Sequence, residues 1–123
     1  MNGSYLFIEA IDFTRSVKRY FGSDESYAEF QMELAMQPDR GSVITGAAPL
    51  RKLRWSDTRR GMGKRGGLRV IYIHIPEIMV LFMLDVYGKD EADDLTGAEK
   101  KELQAFAHEL VEELKARSKR RRL

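Results

Sequence analysis

Leu50-Arg-Lys-Leu-Arg-Trp55, the glycine-rich segment Ser56 to Gly67, and Leu68-Arg-Val-Ile-Tyr-Ile-His-Ile75 decide how this chain reads. The order is strand, basic loop, strand. Alternation along the first run places Lys52 and Arg54 on one face and Leu53 and Trp55 on the other. Gly61, Gly63, Gly66 and Gly67 break the middle segment into a loop. Between Leu50 and Val70 there are eight Lys or Arg side chains and one acid, Asp57. The net charge of the whole chain is only +2, so the flanks offset this local excess. Cations held this close repel one another unless a polyanion compensates them, so the segment points to a phosphate-rich partner.

Outward from that segment, 123 residues suffice for one domain spanning 1–123 with a core of its own. No cysteine is present, which excludes disulfides, thiolate metal sites and cysteine nucleophiles. The two histidines, His74 and His108, are too few for a histidine-rich metal site. His74 falls in a strand and reads as a partly buried packing residue; His108 falls on the polar side of a helix. The longest apolar run, Ile78 to Leu84, is too short to span a bilayer. No secretory signal is visible, so a cytoplasmic protein without membrane contact is expected. Residues 118–123, rich in Lys and Arg, read as a basic disordered tail.

Ser4 to Ala10 has the aromatic and branched composition of a first strand. Asp12 or Thr14 can cap a following helix, with Phe13, Val17, Tyr20 and Phe21 at helical spacing and Gly22 at its end. Ser23 caps a second helix to about Met36, with Asp24 and Glu25 in its first turn and Pro38 beyond its end. Asp39 to Pro49 reads as a connector. Ile78 to Tyr87 is apolar enough for a central strand covered on much of both faces. Thr96-Gly-Ala-Glu99 has capping-box spacing. Leu103, Phe106, Ala107, Leu110, Val111 and Leu114 then mark one face of a long last helix. The expected fold is α+β in β-α-α-β-β-β-α order: an antiparallel sheet of about four strands, two N-terminal helices and a C-terminal helix.

Gly61-Met-Gly-Lys64 departs from a nucleotide-binding loop, because Arg65 follows the lysine and a strand follows the loop. What remains is a cationic sheet face. If three strands pair in succession, Lys52, Arg54, Arg69 and Lys89 converge at one end of it. Arginine can hold two non-bridging phosphate oxygens together. Preorganised cations stabilise the charge that builds up on a pentavalent phosphorus. A lysine crowded by cations has its pKa pushed down and can serve as a base. Such a face suits either phosphodiester cleavage or RNA or DNA binding without cleavage. Tyr72 and Tyr87 can stack on bases or pack in the core; Trp55 alternates onto the core face.

Leu50-Arg-Lys-Leu-Arg-Trp55, Gly63-Lys-Arg-Gly-Gly67, Leu68-Arg-Val-Ile-Tyr72, Val86-Tyr-Gly-Lys-Asp-Glu91 and Asp94-Leu95 follow one another in an order that resembles HigB-type toxins of the RelE superfamily. The resemblance covers nearly the whole chain. It implies a RelE-like fold and the toxin half of a type II toxin–antitoxin pair. Such toxins are ribosome-dependent endoribonucleases that cut mRNA in the A site, using the RNA's own 2′-hydroxyl as nucleophile, with no cofactor. The implied partners are translated mRNA with ribosomal RNA around it, and a HigA-like helix-turn-helix antitoxin. Carried onto this chain, Lys52 and Arg54 match the strand that supplies a base and a phosphate ligand. Arg69 matches the arginine that stabilises the transition state, and Lys89 a basic position after the last strand. Arg51, Arg59, Arg60, Lys64, Arg65, Tyr72 and Tyr87 are the expected RNA or ribosome contacts. The chain departs from RelE at Asp90, where a second arginine stands there, and at Leu95-Thr96, where RelE has a tyrosine. An inactive superfamily member that acts through a partner protein fits the same pattern.

Overall fold

A computed structural model of the protein describes residues 4–56, 67–89 and 95–122. The chain runs β1 (Leu6–Glu9), α1 (Ile11–Phe21), α2 (Asp24–Met36), β2 (Ser42–Val43), β3 (Leu50–Trp55), β4 (Leu68–Ile75), β5 (Val80–Gly88) and α3 (Gly97–Arg122). The fold is α+β. The sheet has five strands in the order β1-β5-β4-β3-β2. The extra strand, β2, lies in the segment read as a connector; two residues carry no usable alternation. The sheet is mixed, because β1 pairs parallel with β5 while the other three pairings are antiparallel. The cause is the α1–α2 hairpin. Two helices restore the direction of the chain, so β2 opposes β1, and three further reversals leave β5 running with β1.

The helix ends follow the local chemistry. Ser23 accepts a hydrogen bond from the Ser26 N–H at 3.1 Å. Gly22 closes α1 at φ 85°, a conformation that costs glycine little. The capping box of α3 forms as its spacing predicts: Thr96 Oγ1 accepts from the Glu99 N–H, and Glu99 Oε1 accepts from the Thr96 N–H. At the start of α1 neither Asp12 nor Thr14 caps. Ala10 holds the N-cap position without a side-chain bond, and Thr14 donates instead to Glu9 Oε1 at 2.7 Å. Helix α3 continues to Arg122, so residues 118–122 are helical where their composition predicts a disordered tail. Among the described residues no helix is long and apolar enough to cross a membrane.

Helices cover both faces of the sheet. Phe13, Tyr20, Phe21, Phe30 and Leu34 of α1 and α2 pack on Leu53, Trp55, Val70, Tyr72, Met83 and Val86. Trp55 is core, edge-on to Phe30 at 5.1 Å between ring centres. On the other face Leu103, Ala107, Leu110, Val111 and Leu114 of α3 pack on Leu50, Ile71, Ile73 and Phe82. Phe106, read as part of that stripe, is 44% exposed.

One irregularity positions a side chain at the site. Between Ile71 and Tyr72 the β5 partner jumps from Asp85 to Met83, leaving Leu84 as the extra residue of a bulge. Plain alternation from Phe82 would turn Tyr87 towards α1 and α2. The bulge reverses the phase, so Val86 joins the α1–α2 core and Tyr87 lies on the α3 face.

Candidate active site

Helix α3 does not cover the whole of its face. At the end where β3 finishes and β4 begins, a cleft of about 750 Å3 lies open. Lys52 and Arg54 of β3, Arg69 of β4, Tyr87 and Lys89 at the end of β5, and Lys100 of α3 line it. Ser42 to Thr45, from β2 and the turn after it, close one side, and Leu95 completes the lining. Among the described residues, no carboxylate or histidine lines the cleft.

Sheet register builds the floor. Arg54 stands directly opposite Arg69 in the β3–β4 pair, and Arg69 directly opposite Tyr87 in the β4–β5 pair. Lys52 sits between Ser42 of β2 and Ile71 of β4. Like charges placed opposite one another on one face destabilise a sheet. Here that arrangement occurs with Arg69 only 8% exposed, where water screens it least. Arg69 Nη1 donates to the Leu68 carbonyl at 3.2 Å, which fixes the guanidinium against its own strand. The Lys89 N–H donates to the Gly67 carbonyl at 3.0 Å, which carries the β4–β5 pairing one residue past the strands and seats Lys89 beside the floor.

The four cations that sequence reading grouped, Lys52, Arg54, Arg69 and Lys89, are therefore brought together, and Tyr87 joins them. Two residues expected at RNA are placed elsewhere. Arg51 points to the opposite face, where Nη1 donates to the Gly41 carbonyl at 2.6 Å and Nη2 pairs with Asp39 at 3.3 Å. Tyr72 is fully buried in the α1–α2 core. Its hydroxyl donates to the Pro38 carbonyl at 2.8 Å and accepts from the Gly41 N–H at 2.9 Å, and burial pushes it up from the usual phenol range. No face of that ring is open to a base. Arg59, Arg60, Lys64 and Arg65 lie outside the described residues.

Lys100, Ser42 and Thr45 were missed. Lys100 had a signal: it follows the capping box, in the first helical turn, where the macrodipole disfavours a cation. Ser42 and Thr45 had none, because what brings them to the cleft is a two-residue strand.

No family model matches the sequence.

His74 keeps the structural role its strand position suggests. Nδ1 lies 2.6 Å from Asp39 Oδ1 and Nε2 lies 2.6 Å from the Tyr5 hydroxyl. The hydrogen bond from His74 holds the Asp39 carboxyl below the ordinary carboxylate range, with the charges of His74 and Arg51 adding to it. This cluster sits at the far end of β4 from the cleft, on the other face.

The cleft can bind an anion of several oxygens. Two guanidinium groups facing each other across a strand pair suit a tetrahedral phosphate, each supplying a fork of donors.

Proposed function

We propose that the protein is the toxin component of a type II toxin–antitoxin system: a ribosome-dependent endoribonuclease that cuts mRNA in the A site and so stops translation. The observation that carries this reading is the cleft itself. Five cations line it, and among the described residues no carboxylate does, which suits a site that takes a polyanionic substrate.

In this reading Arg54 grips the non-bridging oxygens of the scissile phosphate. Arg69, fixed in the floor, stabilises the additional negative charge of the pentavalent phosphorus. The RNA 2′-oxygen attacks phosphorus, the bond from phosphorus to the 5′-oxygen breaks, and a 2′,3′-cyclic phosphate remains. Lys52 takes the 2′-hydroxyl proton and Lys89 delivers one to the departing 5′-oxygen, so protons and charge balance. Tyr87 offers its ring edge to a base or sugar beside Arg69. The natural partners are mRNA on the ribosome and a helix-turn-helix antitoxin in the cytoplasm.

A second reading rests on a specific feature: among the described residues no histidine or carboxylate, the usual proton carriers, lines the cleft. It is a protein that binds RNA through this face without cutting it.

Inducible expression in a bacterium tests the first reading. Wild type should arrest growth and cut translated mRNA. Arg54→Ala, an exposed position, and Arg69→Ala should each relieve both effects. Wild-type expression that neither slows growth nor cuts translated mRNA rejects the nuclease. Binding that falls steeply with salt and yields no cleaved product would establish the second reading in its place.

A further inference from the structure

The cleft is longer than one phosphate group. Its lining crosses from Tyr87 on β5, through Arg69 on β4 and Arg54 on β3, to Ser42 on β2. That is three strand spacings, roughly 14 Å. The guanidinium pair in the middle accounts for one phosphate. At the β2 side stands a separate group of polar side chains: Lys100, Ser42 and Thr45.

Lys100 comes from the helix that covers this face, not from the sheet. Its stem runs beside the turn after β2: a Cβ on Gly46, whose φ is +83°, would meet Lys100 Cδ at 3.5 Å. Lys100 is half-buried there and lines the cleft. Lys100 is placed there against local preference, in the first turn of α3 and in a cleft already lined by four cations. Among the described residues its ammonium has no carboxylate partner, whereas Lys115 on the same helix pairs with Glu77 at 3.2 Å. The hydroxyls of Ser42 and Thr45 lie exposed on the same side and make no hydrogen bond among the described residues. A cation and two hydroxyls supply donors for one more phosphate group.

We propose that Lys100, with Ser42 and Thr45, forms a second phosphate subsite, which holds the phosphodiester next to the scissile one. The cleft then takes a strand with two consecutive phosphates and fixes its direction across the sheet. This deepens the nuclease reading and rests on it for the class of substrate.

The test uses an uncleavable dinucleoside monophosphate, deoxy at the attacking position, in three forms: bare, with a 5′-phosphate, and with a 3′-phosphate. Calorimetric titration against the full chain gives each affinity. For wild type one of the two terminal phosphates should tighten binding about tenfold, the scale of one charge-assisted contact. Lys100→Ala should abolish that gain, leave the bare probe's affinity within twofold, and reduce the salt slope by about 0.7, the value for one single-strand phosphate. Lys100→Arg should restore the gain, and Lys101→Ala, an exposed neighbour, should leave it intact. The subsite is overturned if neither terminal phosphate helps wild type, or if Lys100→Ala weakens all three probes by one factor. Either result leaves the nuclease reading standing, since that needs only the scissile phosphate. A Lys100-dependent gain in a protein that leaves translated mRNA intact keeps the subsite and removes the nuclease.

Discussion

Arg51 and Lys52 are neighbours in β3 and point to opposite faces of one sheet. Arg51 enters a compensated cluster: two backbone carbonyls and the Asp39 carboxylate receive its guanidinium, and His74 and Tyr5 continue the chain of bonds. Lys52 enters a cleft lined by four further cations. The same strands, β3 and β4, build both clusters. The difference shows that positive charge in the sequence is not itself the signal of a site. An arginine with its acid and carbonyls beside it fastens a loop. Lys52, Arg54 and Arg69 instead share a cleft wall to which, among the described residues, no carboxylate contributes. Lys52, Arg54 and Arg69 therefore belong to the proposed chemistry and Arg51 to the frame that supports it.

Exchanging the two roles would break this comparison most directly. Arg54→Ala should lower mRNA cleavage about a hundredfold or more, the scale for losing one preorganised charge stabiliser, while Arg51→Ala should retain most of it and instead lower the melting temperature. Cleavage in a translating extract beside a thermal melt of each variant measures both. Equal loss of cleavage in the two variants would dissolve the distinction.

The next largest effect lies where the two faces share backbone. A Cβ on Gly41 would sit 2.8 Å from Tyr72 Cε1, 2.9 Å from its hydroxyl and 3.2 Å from the Lys52 carbonyl. Gly41→Ala must therefore displace a buried ring or the segment that carries β2. The expected cost is about 1–3 kcal/mol, the scale for leaving a buried polar group unpaired, read by denaturant unfolding. Tyr72→Phe, which removes the acceptor for the Gly41 N–H and the donor to Pro38, should fall in the same range. If Gly41→Ala is neutral, the approach of this segment to the sheet is looser than the geometry shows.

The smallest effect sharpens the compensated side. Asp39 has a depressed pKa, chiefly through its hydrogen bond to His74. A depressed carboxylate contributes stability that is present above its unfolded pKa and lost as pH falls through the folded value. Asp39 is well exposed, so solvent keeps the contribution small. Asp39→Asn should lower the melting temperature slightly at pH 7. Its gap to wild type should close as pH falls below about 3.8, the ordinary value for aspartate. A gap that persists at pH 2 would mean that Asp39 acts by packing and not by charge.

Much of the fold was legible because local chemistry dictated it. Ser23, Gly22 and the Thr96–Glu99 box mark helix ends by satisfying backbone groups within a few residues. The period of two in Leu50 to Trp55 separates Lys52 and Arg54 from Leu53 and Trp55. The same alternation already separates Arg51 from Lys52 and Arg54, so its place outside the cleft was legible from sequence. Tyr72 was ambiguous, since a tyrosine in an apolar strand can stack on a base or satisfy its hydroxyl indoors. The carbonyl and N–H it meets, at Pro38 and Gly41, lie more than thirty residues away.

The helices, the long strands and the cationic character of one sheet face can be read from residue order, because each depends on spacing within a single element. The remaining features arise only when the elements pack. The parallel seating of β1 on β5 depends on how many reversals separate them and which edge is free. The bulge at Leu84 turns Tyr87 into the cleft, and no residue pattern announces a skipped partner. Lys100 and the hydroxyls beside Lys52 arrive from elements far apart in the chain. Which side chains share the cleft with Lys52, and which share the far cluster with Arg51, is settled by those long-range contacts.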